Sequence, residues 1–303
     1  MKISQTAKAH IALFLVNVLY GASHVVAKGI MPNYLTPNVF ILFRVLGATA
    51  LFWIVLSFYK FEKIERSDFK RLALCGMFGV AINQLFFFHG LNLSSSINSG
   101  IIMTVNPILV VILSFLLLKE KITSTKIVGI LLGAAGAILL TLAGGSGKGD
   151  STLGDIFLFI NATSYAVYLV IAKPLMQKYK PLTVITYVFT FGLCFILIFP
   201  PTVQDLMTVD FSNFTTEITL KIIYVIIGVT FFTYLLTMYG LKYLSPSISS
   251  SYIYLQPVLV VFFAFFLSYA GLSEDYTHTI TIQKICYMLL IFIGVYTISR
   301  KKG

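Results

Sequence analysis

The stretch that decides the fold is GLNLSSSINSGIIMTVNPILV, residues 90–110, because it recurs in altered form as GLKYLSPSISSSYIYLQPVLV at residues 240–260. Two further stretches recur in the same order: YGASHVVAK at 20–28 with YAVYLVIAK at 165–173, and KIVGILLGAAG at 126–136 with KICYMLLIFIG at 284–294. Repetition of this kind indicates a duplicated unit. The spacing between matched stretches grows along the chain, so we expect insertions in loops, chiefly in residues 272–283.

The composition around these stretches indicates an integral membrane protein. Of the 303 residues, 58% are hydrophobic and 11% are charged, whereas a soluble domain carries about 25% charged residues. The high apolar content also excludes a disordered chain. Runs such as ILVVILSFLLL, residues 108–118, favour helices over a barrel, whose strands would alternate apolar and polar residues.

Because a helix needs about 20 apolar residues to cross a membrane, the sequence predicts ten spans. They cover residues 9–29, 37–59, 69–90, 95–118, 124–143, 154–174, 182–200, 219–240, 246–270 and 282–299, numbered one to ten below. We interpret the first as a span and not a signal peptide, because polar residues interrupt it and no cleavage site follows. The repeat units, residues 9–143 and 152–299, then hold five spans each. Because five is odd, the second unit must be inverted, so the fold class is an all-α membrane protein with a 5+5 inverted-topology repeat.

We interpret the net charge of +11 as a consequence of membrane topology, which concentrates basic residues on one side of the membrane. With the N-terminus inside, 17 of the 22 basic residues fall in inner loops or tails, which predicts a multi-pass protein of the cell membrane with both termini in the cytoplasm. We therefore expect lipid and a small-molecule substrate as partners, with no nucleic acid, and a monomer or homodimer. The three cysteines lie inside apolar runs, so no disulfide, metal or cofactor is expected.

Three motifs carry a resemblance to a known family. NPILVVILSFLLLKEKIT at 106–123, LYGASHVVAKGI at 19–30 and FRVLGATALF at 43–52 are similar to elements of the EamA-type transporters of the drug/metabolite transporter superfamily. The resemblance covers residues 9–299, except that SYAGLSEDYT at 268–277 replaces the second Gly-Glu element. It implies a five-plus-five inverted fold and transport of small metabolites, including amino acids.

Polar residues inside spans mark candidate substrate contacts, because they are expensive in lipid and usually face inward. Asn17, Tyr20, His24 and Lys28 share one face of span one, and Arg44 lies a third of the way into span two. An Arg facing the cavity near Lys28 would attract a carboxylate. Three alternatives need no substrate. Tyr20 and His24 could pack in the core, and Lys28 could extend to the outer headgroups. Arg44 could bond to backbone carbonyls or to headgroups.

Further candidates come from the matched spans of the two units. Asn83, Asn106, Asn161, Tyr165, Tyr168, Tyr252 and Gln256 combine amides and aromatic rings, which suit a zwitterion with an apolar part; Tyr234 is a weaker candidate. Pro107 and Pro257 occupy matched positions, where they kink a helix and are candidates for gating. Beside these prolines, the matched amides Asn106 and Gln256 are equally compatible with repair of the local backbone. The glycines of span five indicate close helix packing.

These features predict a secondary transporter, with export the favoured direction, that moves small metabolites such as amino acids by alternating access around a central cavity. The alternatives are a transporter of phosphorylated or nucleotide-type anions and, from another class, a polytopic membrane enzyme. An enzyme is disfavoured because protease, hydrolase and nucleotide-binding motifs are absent from the sequence. His24 and His89 are the only span groups that titrate near neutral pH, so coupling to protons is left open.

Overall fold

The structure is a computed structural model that describes residues 4–27, 30–31, 34–94, 102–143, 151–259, 262–263 and 281–299. The side chains of residues 22–27 and 213 lie outside that description. Within these ranges every regular element is a helix, which confirms the all-α class. The helices are Gln5–Ala27, Pro37–Ser57, Arg66–Gly76, Asn83–Leu93, Val105–Leu118, Ser124–Leu142, Thr152–Lys178, Pro181–Ile198, Pro200–Thr208, Thr216–Tyr224, Thr233–Tyr243, Pro246–Ser251 and Ile282–Ser299.

Seven helical stretches in the described ranges are long and apolar enough to cross a membrane, and they correspond to spans two, three, five, six, seven, eight and ten. Span one forms a helix of 23 residues. Span four is described only in part, with an apolar helix of 14 residues, Val105–Leu118. Part of span nine also lies outside the described residues. The count of ten spans therefore stays a prediction.

Spans three and eight each contain a π-helical segment, Met77–Ile82 and Val225–Phe232, that joins two α-helical parts. These segments lie at matched positions of the repeat. A π-helical turn shifts the hydrogen-bond register by one residue and is frequent at functional sites. The repeat therefore duplicates a local distortion of the helix as well as the pattern of spans.

Spans two and seven run antiparallel, as two contacts between the halves show. The Glu62 carboxylate, just after span two, accepts hydrogen bonds at the start of span seven, from Lys180 N at 2.9 Å and Thr183 Oγ1 at 2.6 Å. The Asp205 carboxylate, after span seven, accepts from Thr36 Oγ1 at 2.8 Å and Asn38 Nδ2 at 2.9 Å, at the start of span two. Matched spans that pack together therefore point in opposite directions.

Packing between the halves is preserved when the two units are exchanged. Span three packs on spans six and seven, and span eight packs on the matched spans one and two. Gly90 allows Leu158 to approach, and the matched Gly240 allows Leu13 to approach in the same way. Two hydrogen bonds even join matched positions to each other, because Gln84 Nε2 donates to Tyr234 Oη at 3.0 Å and Tyr254 Oη donates to the Thr104 carbonyl at 3.3 Å. These two contacts mark an approximate twofold axis.

Spans five and ten are joined by the glycine face expected from the sequence. A Cβ on Gly136 would come within 2.9 Å of the Tyr287 carbonyl oxygen, and one on Gly294 within 2.7 Å of the Gly129 carbonyl oxygen. These distances are shorter than a carbon–oxygen contact allows, so the helices approach this closely only because the residues are glycines. The prediction of close packing is confirmed.

Candidate functional site

Arg44 is the central charge of the membrane-spanning region. It lies about 10 Å of helix rise below the start of span two, and its residue surface is 6% exposed. Nε donates to Thr230 Oγ1 at 3.0 Å, while the guanidinium carbon lies 5.5 Å from the Phe40 ring centre and 5.0 Å from that of Phe88. The guanidinium is thus anchored by one hydrogen bond and held between two aromatic rings.

Among the described residues, no carboxylate forms an ion pair with Arg44. A guanidinium has five N–H donors, and in the same part of the chain only Nε has a hydrogen-bond partner. Within the described residues, Arg44 bonds neither to helix carbonyls nor to an acidic side chain. A buried cation with unused donors has the chemistry to bind an anionic group.

A group of tyrosines surrounds this charge. The phenols of Tyr20 and Tyr234 lie close enough to Arg44 to interact with it electrostatically, and Tyr165 interacts in the same way with Tyr20 and Tyr234. The ring centres of Tyr165 and Tyr168 are 5.9 Å apart. Three of the predicted aromatic contacts, Tyr20, Tyr165 and Tyr168, are therefore brought together with Arg44.

Span eight contributes a stripe of buried threonines to the same region. The hydroxyls of Thr230, Thr233 and Thr237 donate to carbonyls of their own helix, at 2.9, 2.5 and 2.7 Å respectively. Each oxygen then has acceptor capacity left toward its neighbours, and Thr230 uses it for Arg44. Tyr20 lies beside Thr233, and Tyr165 lies beside Thr237. The region therefore combines a cation with hydrogen-bond acceptors.

Two polar side chains of span six, the predicted amide Asn161 and the hydroxyl of Ser164, join this span to span three. Asn161 Nδ2 donates to the Asn83 carbonyl at 2.7 Å, and Ser164 donates to the Phe78 carbonyl. Tyr234 Oη donates to the Gly79 carbonyl at 3.2 Å. Phe78 and Gly79 belong to the first π-helical segment, so its carbonyls are satisfied by side chains of other spans. In this arrangement Asn161 and Ser164 fix span six to span three.

Two buried amides keep an acceptor without a partner in the described part of the chain. Asn17 Nδ2 donates to the Leu13 carbonyl and Asn106 Nδ2 to the Ala162 carbonyl, at 2.8 and 2.7 Å. The Oδ1 atom of each has no hydrogen bond there. Asn17 is one turn from Tyr20, and Asn106 contacts span six one turn from Tyr165. Both amides therefore flank the tyrosine group.

Tyr252 and Gln256 lie elsewhere. Tyr252 Oη is 2.7 Å from His10 Nδ1 near the start of span one and belongs to a separate apolar cluster with Ala9 and Leu13. Gln256 is half-buried one turn further along. Lys28 and the side chain of His24 lie outside the described residues. Lys173, the repeat counterpart of Lys28, donates to the carbonyls of Leu241 and Leu244 at 2.7 Å each.

The two candidate gating prolines each follow a break in a helix. Pro107 comes three residues after the turn at Thr104, and Pro257 comes after the 3₁₀ segment Tyr252–Leu255. The breaks lie at matched positions, and the bond from Tyr254 to the Thr104 carbonyl joins them. The helix is thus interrupted just before each proline, and a gating role stays a prediction.

Four functional candidates were missed from the sequence: Thr230, Thr233, Thr237 and Gln84. Threonine is common in membrane helices, so the stripe gave no distinct signal. The one usable signal was the match between Gln84 and Tyr234 at equivalent positions of the repeat. Within the described residues, no group of three or more His, Cys, Asp or Glu side chains is placed to hold a metal ion.

A duplicated bundle of membrane-crossing helices, with a buried cation inside it, defines a polytopic membrane transporter as the class of protein. The sequence profile of the EamA-like transporter family matches residues 7–142 and 152–300. The chain belongs to that family, which confirms the resemblance seen in its motifs and gives a multi-pass membrane protein with two EamA repeats.

Relatives and a solved structure agree with this assignment. The uncharacterized transporter YyaM of Bacillus subtilis is 27% identical over 96% of this chain and 93% of its own. An uncharacterized transporter of Archaeoglobus fulgidus is 25% identical over 89% and 91%. A WAT1-related protein of Arabidopsis thaliana is 26% identical over 55% of this chain and 54% of its own. One crystal structure, 18% identical, has a TM-score of 0.74 over 95% of both chains and shows the shared fold.

Proposed function

We propose that this protein is a secondary transporter that exports small metabolites bearing a carboxylate, such as amino acids. The observation that carries the proposal is Arg44, a buried guanidinium with one hydrogen bond and no acidic partner among the described residues. A charge in the membrane interior costs about 2.5–3.5 kcal/mol on insertion scales. A substrate carboxylate would balance that charge and use the remaining donors.

The acceptors near Arg44 favour a zwitterion over a simple anion. The hydroxyls of Thr233 and Thr237 bond to the phenols of Tyr20 and Tyr165, and the remaining lone pair of each oxygen suits an ammonium group. The phenol rings suit an apolar or aromatic side chain. For the alternative class of phosphorylated anions, the described residues supply a single cation at this depth, which matches one carboxylate better than a phosphate dianion.

Alternating access is the mechanism we propose. Two observations support it. Spans two and seven are antiparallel, and equivalent spans of the two units make equivalent contacts with the other half. In such a fold, two nearly equivalent conformations arise when the halves swap roles, and each conformation opens to one side. The substrate site would then lie near the twofold axis, where Gln84 bonds to Tyr234.

The proposed function is tested by transport into and out of proteoliposomes that contain the purified protein. Amino acids and their amidated derivatives are offered as matched pairs, because amidation removes the carboxylate and keeps size and side chain. We expect counterflow of at least one free amino acid and little of its amide. Equal transport of acid and amide, or transport of phosphorylated solutes alone, would contradict the proposed substrate class.

Topology gives a separate prediction, because the arrangement in the membrane is inferred from the basic residues. A reporter fused after Gly303, and one inserted within residues 60–71, should both report the cytoplasm. A reporter within residues 202–216 should report the outside. These positions surround Glu62 and Asp205, so the experiment also assigns each contact to a face. An external signal from residues 60–71 would overturn the orientation.

Proton coupling gives the next prediction. His89 Nε2 lies 2.9 Å from Asn38 Oδ1, and Asn38 Nδ2 donates to Asp205, so His89 is joined to an acidic group through one amide. We expect downhill transport to persist when an ionophore collapses the pH gradient, since no buried carboxylate contacts Arg44 in the described chain. Any stimulation by the gradient should be lost in His89→Gln or His24→Asn. Strict proton dependence that survives both substitutions would contradict this expectation.

A further inference from the structure

Glu62 and Asp205 accept hydrogen bonds at the starts of helices that belong to the opposite half of the chain. Spans two and seven both begin with proline at the first helical position, Pro37 and Pro181. The start of a helix favours negative charge because its first N–H groups lack partners. Both carboxylates are half-buried, and each accepts two hydrogen bonds there through a single oxygen atom.

The two contacts are equivalents under the repeat. Glu62 follows span two and bonds to the start of span seven, whereas Asp205 follows span seven and bonds to the start of span two. Exchange of the halves converts one contact into the other. Spans two and seven are 21 and 18 residues long, so about 27–31 Å of helix separates the contacts. The contacts therefore lie at opposite faces of the membrane.

We propose that these contacts are latches that decide which face of the transporter opens. The Glu62 latch consists of Glu62, Lys180 and Thr183, and the Asp205 latch consists of Asp205, Thr36 and Asn38. Both are closed in this structure. Because each joins the two halves at one face, that face opens only when its latch separates. Loss of one latch shifts the equilibrium toward opening at its own face and therefore away from opening at the other.

The two faces differ in the interactions that join the halves of the protein. At the Glu62 face, Lys178 also bridges the halves, with Asp68 and Glu65 each at 3.0 Å. At the Asp205 face a hydrogen bond from Ser94 to Asp155 also joins the halves, but among the described residues no ion pair crosses between the halves there, because the pair of Glu217 and Lys221 lies within one helix. Removal of Asp205 therefore has the larger effect of the two single substitutions.

The test measures both faces at once by double electron–electron resonance in nanodiscs. Spin labels at Lys60 and Gln177 report the Glu62 face, and labels at Asn92 and Thr208 report the Asp205 face; all four positions are exposed. The lipid-exposed cysteines, Cys194 and Cys286, are replaced by Ala in every variant. No substrate is needed for this measurement.

Asp205→Ala is expected to populate longer distances at its own face and to deplete them at the Glu62 face. The ratio of the two open populations should change roughly tenfold, equivalent to about 1.4 kcal/mol. Glu62→Ala should produce the opposite pattern with a smaller shift, and the double variant should return toward the wild-type ratio. Glu217→Ala is the matched control, a carboxylate at the Asp205 face that leaves both distributions unchanged.

A single substitution that widens only its own face, with the other face unchanged, would show local helix capping and overturn the proposal, as would no change at either face. If Asp205→Ala is not monodisperse, Asp205→Asn removes the charge and should give a smaller shift of the same sign. The proposal rests on alternating access. Wild-type transport with unresponsive latches would refute the latches alone, whereas absence of wild-type transport would refute the proposed function.

Discussion

Arg44→Gln should remove most of the preference for carboxylate-bearing solutes over their amides. The substitution keeps a side chain that can bond to Thr230 but deletes the charge that would bind the substrate. A charge-assisted hydrogen bond contributes about 1.5–3 kcal/mol, so the ratio of transport efficiency for acid over amide should fall roughly tenfold or more. The measurement is initial transport rates in proteoliposomes for one amino acid and its amide.

Two companion variants separate binding from packing. Arg44→Lys retains the positive charge but lacks the planar set of guanidinium N–H donors, so it should keep part of the preference for the acid over the amide. Thr230→Val removes the anchor of Nε and should weaken transport of the acid without equalising acid and amide. Unchanged selectivity in Arg44→Gln would mean that the guanidinium serves only to bond to Thr230 and to pack on Phe40 and Phe88.

Tyr165→Ala should give the second large effect, a rise in the half-saturating concentration for solutes with an aromatic side chain. Tyr165 lies between Tyr20, Tyr234 and Thr237 and contacts the ring of Tyr168. An aromatic pair contributes about 0.5–1.5 kcal/mol beyond the area it buries. Together with the lost apolar contact, the half-saturating concentration should rise about tenfold or more.

Tyr165→Phe is the matched control because it keeps the ring and removes the hydroxyl. It should bind aromatic solutes nearly as well as the wild type. Size-exclusion chromatography of both variants checks that each remains folded and monodisperse. If Tyr165→Ala transports aromatic and small solutes with wild-type constants, the tyrosine group belongs to the packed core and does not contact the substrate.

Much of the fold followed from the sequence because its signals are local or repeat along the chain. Apolar length set the spans, and matched stretches such as those ending in Val110 and Val260 set the duplication. The π-helical segments were not foreseen, because no side-chain pattern distinguishes Met77–Ile82 from an ordinary helix. The glycines of span five were interpreted correctly, since only a missing side chain permits such close approach.

The candidate site was predicted less completely. Arg44, Tyr20, Tyr165 and Tyr168 do come together, whereas Tyr252 lies against His10 in another cluster. Membrane helices are apolar on most of their surface, so hydrophobic periodicity gives little information about which face turns inward. The inward face of each span therefore had to be predicted from its polar residues, and buried polar residues contribute to helix packing as often as to substrate binding.

The sequence by itself determined that the protein is a membrane transporter built from two EamA units. Only the tertiary structure decided that Arg44 meets Thr230, 186 residues away, and that Glu62 and Asp205 bond to the starts of spans in the opposite half. Spans are specified by the hydrophobic content of short windows, which the chain carries locally. Contacts between distant residues depend on the rotation and register of packed helices, which the π-helical turns shift by one residue and which no local pattern encodes.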